Sequence, residues 1–392
     1  MTAECHSNGA VSTPAKSPGK AILWSLPMLA LSSFMFFGQG GIPHDALHAI
    51  PFFFTLVLVN VLFYLMIRTG KTDRYRAVFF IMMAVLFVIS FLAHFQEARG
   101  SMALTPGEEI KGGAPFCYMV IPSTIIPAVL SRTIIFPGSI LGSYSIASMI
   151  VIWLGAILAL GRGFCSWGCI FGGLEDGFSR MRRKPLIRKI AERWTYLPYA
   201  VLVVVVVMSA LLLTPFYCIW LCPFKTVTEY LEVNSFERFL QAILFVGLFA
   251  GLVVILPILS RRRTQCSLFC PMGAFQSFFN KVNPFEIVIA RDRCKDCDRC
   301  VRECPTFSLD AKSVALGRTR ISCVKCGKCV DQCPTGAAAY HIKGTHPQWK
   351  PARARMLFLY PAYLFLTVFG GGLIQDGLYR ILLLITTGSM IQ

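Results

Sequence analysis

The sequence contains no phosphate-binding glycine loop, no nucleophile triad and no pair of carboxylates in a plausible site, so it gives classical hydrolytic chemistry no support. Negative charge is scarce: 20 Asp and Glu stand against 38 Lys and Arg, a formal charge of +18. Such an excess would suit a nucleic-acid binder. It has a simpler origin in a membrane protein, whose cytoplasmic loops collect Lys and Arg, and no nucleic-acid partner is expected. The first twenty residues are polar and lack the short apolar core and cleavage site of a secretory leader. The first apolar run is therefore expected to be an uncleaved anchor.

Apolar residues are plentiful instead: 55% of 392, with a mean hydropathy of +0.61, more than a soluble domain needs. A bilayer core takes roughly 20 apolar residues per helix, and seven stretches qualify: 21–38, 50–67, 77–93, 144–160, 197–213, 239–259 and 356–374. The connecting segments sort by charge. All Lys and Arg except Arg99, Lys111, Arg132, Lys225, Arg238 and Arg380 lie before the first span or in 68–76, 161–196 and 260–355. The positive-inside rule then places the N-terminus and the long 260–355 segment in the cytoplasm. The apolar stretch 116–136, interrupted by Pro122, Pro127 and Arg132, reads as re-entrant or interfacial, and the short apolar tail at 377–386 as interfacial.

Sixteen cysteines are many for this length, and fourteen fall into Cys-x2-Cys or Cys-x3-Cys spacings. Between the sixth and seventh spans stand RCKDCDRCVRECPT and SCVKCGKCVDQCPT, each Cys-x2-Cys-x2-Cys-x3-Cys-Pro, the spacing of bacterial two-cluster ferredoxins. Three closely spaced thiolates reach three corners of a cubane, and the fourth Cys of each run serves the other cluster. Cys294, Cys297, Cys300 and Cys333 are thus expected to hold one [4Fe-4S] cluster, and Cys323, Cys326, Cys329 and Cys304 the other. Zinc also takes Cys-x2-Cys pairs, but it gives no reason for three evenly spaced Cys followed by Cys-Pro, twice. The expected architecture is an α-helical multi-pass membrane protein of about seven spans with a small α+β two-cluster ferredoxin-like domain inserted before the last. Its units are a polar tail at 1–20, a transmembrane region at 21–260, the cluster domain with its preceding motif at 261–345, and a final span and tail at 346–392.

A second motif occurs three times, each near the end of a span: GRGFCSWGCIFG, FYCIWLCPFK and QCSLFCPMGAF. Cys-x3-Cys puts two thiols one helical turn apart on one face. Cys165, Cys169, Cys266 and Cys270 fall on the inner side and are expected to share a third cluster at the membrane surface. Cys218 and Cys222 fall on the other side with Cys117. Two readings stand for that trio: a further redox centre, or a Cys218–Cys222 disulfide or buried thiols in an oxidising compartment. Cys5 reads as incidental.

These residues are similar to the NapH/NosR-type membrane polyferredoxins. The likeness runs over roughly residues 110–340 and rests on GRGFCSWGC, CPFK, CSLFCPMGA and the paired ferredoxin runs. The resemblance implies electron transfer across or along the bacterial inner membrane, linked to quinol and to a periplasmic reductase. Redox partner proteins, a respiratory reductase or its electron donor, would follow from it. Three features depart from the pattern: Ile170 follows Cys169 where the family has Pro, the seven spans exceed those of NapH, and no flavin domain precedes them as in NosR.

His44, His48 and His94 lie near the outer ends of the second and third spans, and His44 and His48 are one turn apart. Interfacial histidines are the preferred reading over a quinol site or haem ligands. His341 and His346 read as surface residues, and Asn60 and Gln241 as pairing with neighbouring helices. The basic run at 180–193 suits anionic lipid headgroups, although its topogenic role suffices. The sequence as a whole points to an iron–sulfur electron-transfer protein; a redox-sensing regulator or maturation factor for a respiratory metalloenzyme is the competing class.

Overall fold

The computed structural model describes residues 16–38, 43, 45–98, 146–187, 190–212, 216–228, 235–345 and 351–390. The expectations for Cys5, His44, Cys117, His346 and the 116–136 stretch, and for the side chain of His94, lie outside the described residues. The chain opens with α1 (Pro18–Gly38), α2 (Ala46–Thr69) and α3 (Thr72–Ala98). α4 (Ile146–Leu160) leads through a tight turn into the short α5 (Phe164–Trp167) and then α6 (Ile170–Arg180). α7 (Leu197–Leu212) and α8 (Phe236–Ser260) follow, then the paired short helices α9 (Thr264–Leu268) and α10 (Pro271–Phe279). The cluster unit comprises β1 (Phe285–Ile289), α11 (Arg299–Glu303), α12 (Lys328–Gln332) and β2 (Ala338–Ile342), before α13 (Pro351–Thr387).

Among the described residues six helices are long and apolar enough to cross a membrane: α1, α2, α3, α7 with its leading turn, α8 and α13. A seventh candidate is a bent pair, Trp153–Trp167 with Ile170–Arg180, broken by 44°. α3 is the hub, packed against α2, α6 and α13. Small residues permit the approach. A side chain at Gly173 would meet the Phe80 carbonyl at 2.5 Å, and one at Gly377 the Leu86 carbonyl at 2.6 Å. The second contact explains a departure from expectation. The 377–386 tail is not a separate interfacial segment but the continuation of α13, which Gly377 seats against α3. Polar pairs add to the packing: Asn60 donates to Ser32 at 3.1 Å, a link between α1 and α2 worth about 1 kcal/mol in a membrane.

In the cluster unit, β1 and β2 pair antiparallel with Phe285 opposite Ile342 and Glu286 opposite His341. His341 is not a surface residue as expected: it is buried, and its Nδ1 lies 3.2 Å from Glu286 across the ladder. The unit is fused to the bundle. Tyr340 stacks on Phe358 of α13 at 5.1 Å, and Trp167 meets the same ring edge-on at 5.8 Å. The Asp331 carboxylate accepts from the backbone N–H groups of Thr72 and Asp73, the first residues of α3, at 2.9 and 2.7 Å. Those amides have no partner within the helix, so the second ferredoxin run supplies the cap for a membrane helix.

Candidate iron–sulfur sites

The two ferredoxin runs fold as near copies. In each, a short helix (α11, α12) carries the third Cys and ends on the fourth, Cys304 or Cys333, in extended conformation. Cys294, Cys297, Cys300 and Cys333 line one cavity. The other four, Cys304, Cys323, Cys326 and Cys329, are buried and crowd one another. Burial pushes the Cys326 thiol up to about 12, and that of Cys329, beside Cys326, Cys323 and Cys304, well above its ordinary value. Thiols packed in this way become thiolates only with a compensating positive centre. Backbone N–H groups face the sulfurs: Ser308 donates to Cys304 Sγ at 3.3 Å and Ala338 to Cys333 Sγ at 3.5 Å.

Cys165, Cys169, Cys266 and Cys270 come together around a third cavity. All four are buried. Their segments form a twofold-like pair, in which Arg162-x2-Cys165-x3-Cys169-x2-Gly172 matches Arg263-x2-Cys266-x3-Cys270-x2-Gly273. The copies clasp each other. Arg162 donates to the Cys266 carbonyl at 2.8 Å, and Arg263 to the Cys165 carbonyl at 2.6 Å. The second thiol of each pair caps a helix, Cys169 accepting from Gly172 N–H at 3.3 Å and Cys270 from Gly273 N–H at 3.4 Å. Each therefore sits at the positive end of a helix dipole, where a thiolate is favoured. The close fit requires glycine, because a side chain at Gly172 would meet the Cys165 carbonyl at 2.5 Å.

The buried charges serve the same frame. Glu175 accepts from the Cys266 N–H at 3.1 Å, and its Oε2 lies 3.9 Å from Arg263. Arg263 also donates to Cys266 Sγ at 3.2 Å. Gln276, the counterpart of Glu175 in the repeat, accepts from the Cys165 thiol at 2.9 Å, while its buried Nε2 has no partner. Inverting that amide would turn Nε2 onto a Cys165 thiolate. An orphan donor, two helix N-termini and a guanidinium directed at four thiols fit a negatively charged cluster.

All four thiols lie inside the helical bundle. α6 starts beside Phe87 of α3 (Phe171 to Phe87, 6.3 Å) and climbs to Asp73, with which Arg180 pairs at 2.7 Å. On α3 those contacts are about four helical turns apart. The second Cys-x3-Cys copy, at Cys218 and Cys222, also turns toward the site: Phe224 lines the cavity and stacks on Phe171 at 4.0 Å. Tyr217 accepts from Gln265 Nε2 at 3.1 Å. A π-helical turn at Tyr217–Leu221 precedes Cys222, and another at Phe249–Ile255 interrupts α8, where the Thr264 hydroxyl satisfies the Leu252 carbonyl at 2.6 Å. Such turns concentrate at functional sites. His48, by contrast, stacks on Tyr379 at 4.2 Å and bonds Asp45 at 3.2 Å, as an ordinary interfacial histidine would.

Sequence reasoning found all twelve cysteines of these three groups but not Arg162, Arg263, Glu175, Gln276, Tyr217 or Phe224. The constant offset between the first and third Cys-x3-Cys copies, which extends from the arginines to Glu175 and Gln276, was the available signal.

Comparison with known proteins supports the same reading. A family model described as a 4Fe-4S binding domain matches three times, at 143–188, 194–237 and 242–289, one match for each Cys-x3-Cys copy. The chain is 29% identical over 180 residues to the uncharacterized protein MJ0750 of Methanocaldococcus jannaschii, covering 43% of this chain and 70% of that one. It is 29% identical over 161 residues to the regulatory protein NosR of Pseudomonas aeruginosa (38% and 21%). It is 28% identical over 169 residues to the ferredoxin-type protein NapH of Escherichia coli (43% and 56%). The match thus spans about half of NapH and a fifth of NosR. No solved structure matches. The repeated 4Fe-4S module, the cysteine groups it contains and these relatives together support a NapH/NosR-type polyferredoxin family for the chain.

Proposed function

We propose that this protein conducts electrons between the exposed ferredoxin site and a third iron–sulfur site inside the helical bundle. An iron–sulfur protein of this family with several membrane-capable helices serves membrane electron transport; the order of sites is our reading. A [4Fe-4S] cluster, when bound, takes up and releases an electron at a potential set by the charges, hydrogen bonds and solvent around its sulfurs. Cys294, Cys297, Cys300 and Cys333 would hold one cluster, Cys304, Cys323, Cys326 and Cys329 a second, and Cys165, Cys169, Cys266 and Cys270 a third.

The observation that carries the order is a buried cluster of side chains that joins the second and third groups. Cys165 and Cys326 pack into one buried cluster with Val324, whereas the cysteines of the first group are only half-buried. The exposed group is then the port for a soluble partner, the second group the relay, and the third the buried terminus. Cys218 and Cys222 lie beyond that terminus, on the side of Phe224 and Tyr217, and are the route onward to a membrane or outer-face partner such as quinol or a respiratory reductase. By the positive-inside rule the port faces the cytoplasm of a bacterium.

The chain's own residues set the conditions. Arg263 places a buried cation on Cys266 Sγ, and Phe224 closes the third cavity against water. At the second site, Lys325 donates to the Leu160 carbonyl at 3.0 Å and Trp167 donates to the Lys325 carbonyl at 3.2 Å, which fixes the loop on the end of α4.

Stopped-flow reduction by a soluble reductant tests the order. The membrane site should be reduced after the exposed site, and Cys326→Ser should slow that step by at least tenfold. Reduction of the membrane site at the unaltered rate in a variant that has lost the second cluster would reject the relay.

A further inference from the structure

Where α3 emerges beside the ferredoxin unit lies a groove open on one side. Six cations line it: Lys71, Arg74, Arg180, Arg261, Arg299 and Lys328. Against them stand three carboxylates, and all three are already engaged. Asp331 caps α3 through Thr72 and Asp73. Asp73 pairs with Arg76 and Arg180, both at 2.7 Å. Glu303 pairs with Lys328 at 3.1 Å and Arg261 at 3.5 Å. Among the described residues no carboxylate pairs with Lys71, Arg74 or Arg299. The groove therefore presents uncompensated positive charge.

Its lower wall is apolar. Ala77, Val78 and Ile81 of α3 line it, and the outer face of that membrane-capable helix continues the apolar surface. Val78, Val85 and Leu92, seven residues apart, are 49%, 46% and 50% exposed. A cationic cup above an apolar track on a spanning helix is the complement of a phospholipid with an anionic headgroup. A purely aqueous partner would leave the track unused.

We propose that this groove binds one anionic phospholipid, its phosphate held by Arg74, Arg299 and Lys71 and its acyl chain laid along Val78 and Val85. Arg299 belongs to the helix that carries Cys300, and Arg74 to the membrane helix, so the headgroup joins the cluster unit to the bundle. The site is separate from the basic run at 180–193, of which it uses only Arg180.

The test uses the full-length protein with its clusters, stripped of lipid in a neutral detergent. Phosphatidylglycerol, phosphatidylcholine or inorganic phosphate is then added, with native mass spectrometry and the melting temperature as readouts. One phosphatidylglycerol should be retained per chain and raise the melting temperature. Phosphatidylcholine and phosphate should do neither. The double variant Arg74→Ser/Arg299→Ser should bind phosphatidylglycerol at least tenfold more weakly, while Arg302→Ser, an exposed cation of the same helix outside the groove, should bind as the unaltered protein does. Equal retention of phosphatidylcholine, an equal shift from phosphate alone, or undiminished binding by the double variant would overturn the assignment. The comparison among the three additives on the unaltered protein stands even if the double variant fails to fold.

Discussion

The Asp331 carboxylate receives the Thr72 N–H at 2.9 Å, so a residue between two cluster cysteines caps a membrane helix that begins 259 positions earlier. Lys71 strengthens the junction by donating to the Asp331 carbonyl at 2.9 Å, and Arg355 of α13 ties in by donating to the Thr72 hydroxyl at 2.8 Å. Asp331→Ala leaves two buried N–H groups without an acceptor, a cost of about 1–3 kcal/mol. The expected result is a lower melting temperature and faster proteolysis at the join between cluster unit and bundle. An unchanged melting temperature would show that the cap contributes nothing to docking.

The repeat around the third site makes an asymmetric prediction. At Gly172 an added methyl would meet the Cys165 carbonyl at 2.5 Å, whereas at Gly273 it would meet the Cys266 carbonyl at 3.0 Å. Overpacking of this kind costs about 1–3 kcal/mol, and the tighter position should show more of it. Gly172→Ala should lose the iron of the third site while keeping that of the ferredoxin sites. Gly273→Ala should retain most of it. Equal iron in the two variants would mean that the clasp yields where it is drawn tight.

Phe224 tests whether the third site needs to be dry. Its ring is buried and stacked on Phe171, so Phe224→Ala should cost about 3–5 kcal/mol. Water admitted to the cavity should also speed loss of the third cluster in air, followed as bleaching of visible absorption. Tyr217→Phe, which removes the hydrogen bond with Gln265 but keeps the ring, should bleach at the unaltered rate. Identical bleaching in Phe224→Ala would contradict the role given to Phe224.

What the sequence disclosed divides along a physical line. Ligand spacing is local, so the eight ferredoxin cysteines and the two Cys-x3-Cys pairs could be read directly, as could the apolar runs behind the long helices. Contacts between distant segments could not. Nothing local to Asp331 announces that it caps α3. Hydropathy placed Cys218 and Cys222 beyond a span without revealing that Phe224 folds back against Phe171. The tail at 377–386 looked too short to cross a membrane because its helix begins at Pro351, far upstream. Burial was not legible for the same reason: charge counts assign a side to Cys165 and Cys169, but only packing of α6 along α3 shows how far inside the bundle they lie.

The central claim is that the third cysteine group holds a cluster of its own, and iron counted per chain tests it most directly. Three [4Fe-4S] clusters correspond to roughly twelve irons and two to roughly eight. The account predicts about twelve irons in the unaltered protein. In Cys165→Ser it predicts about eight, with the EPR signals of the two ferredoxin sites preserved. Equal iron in both, at either value, would contradict it.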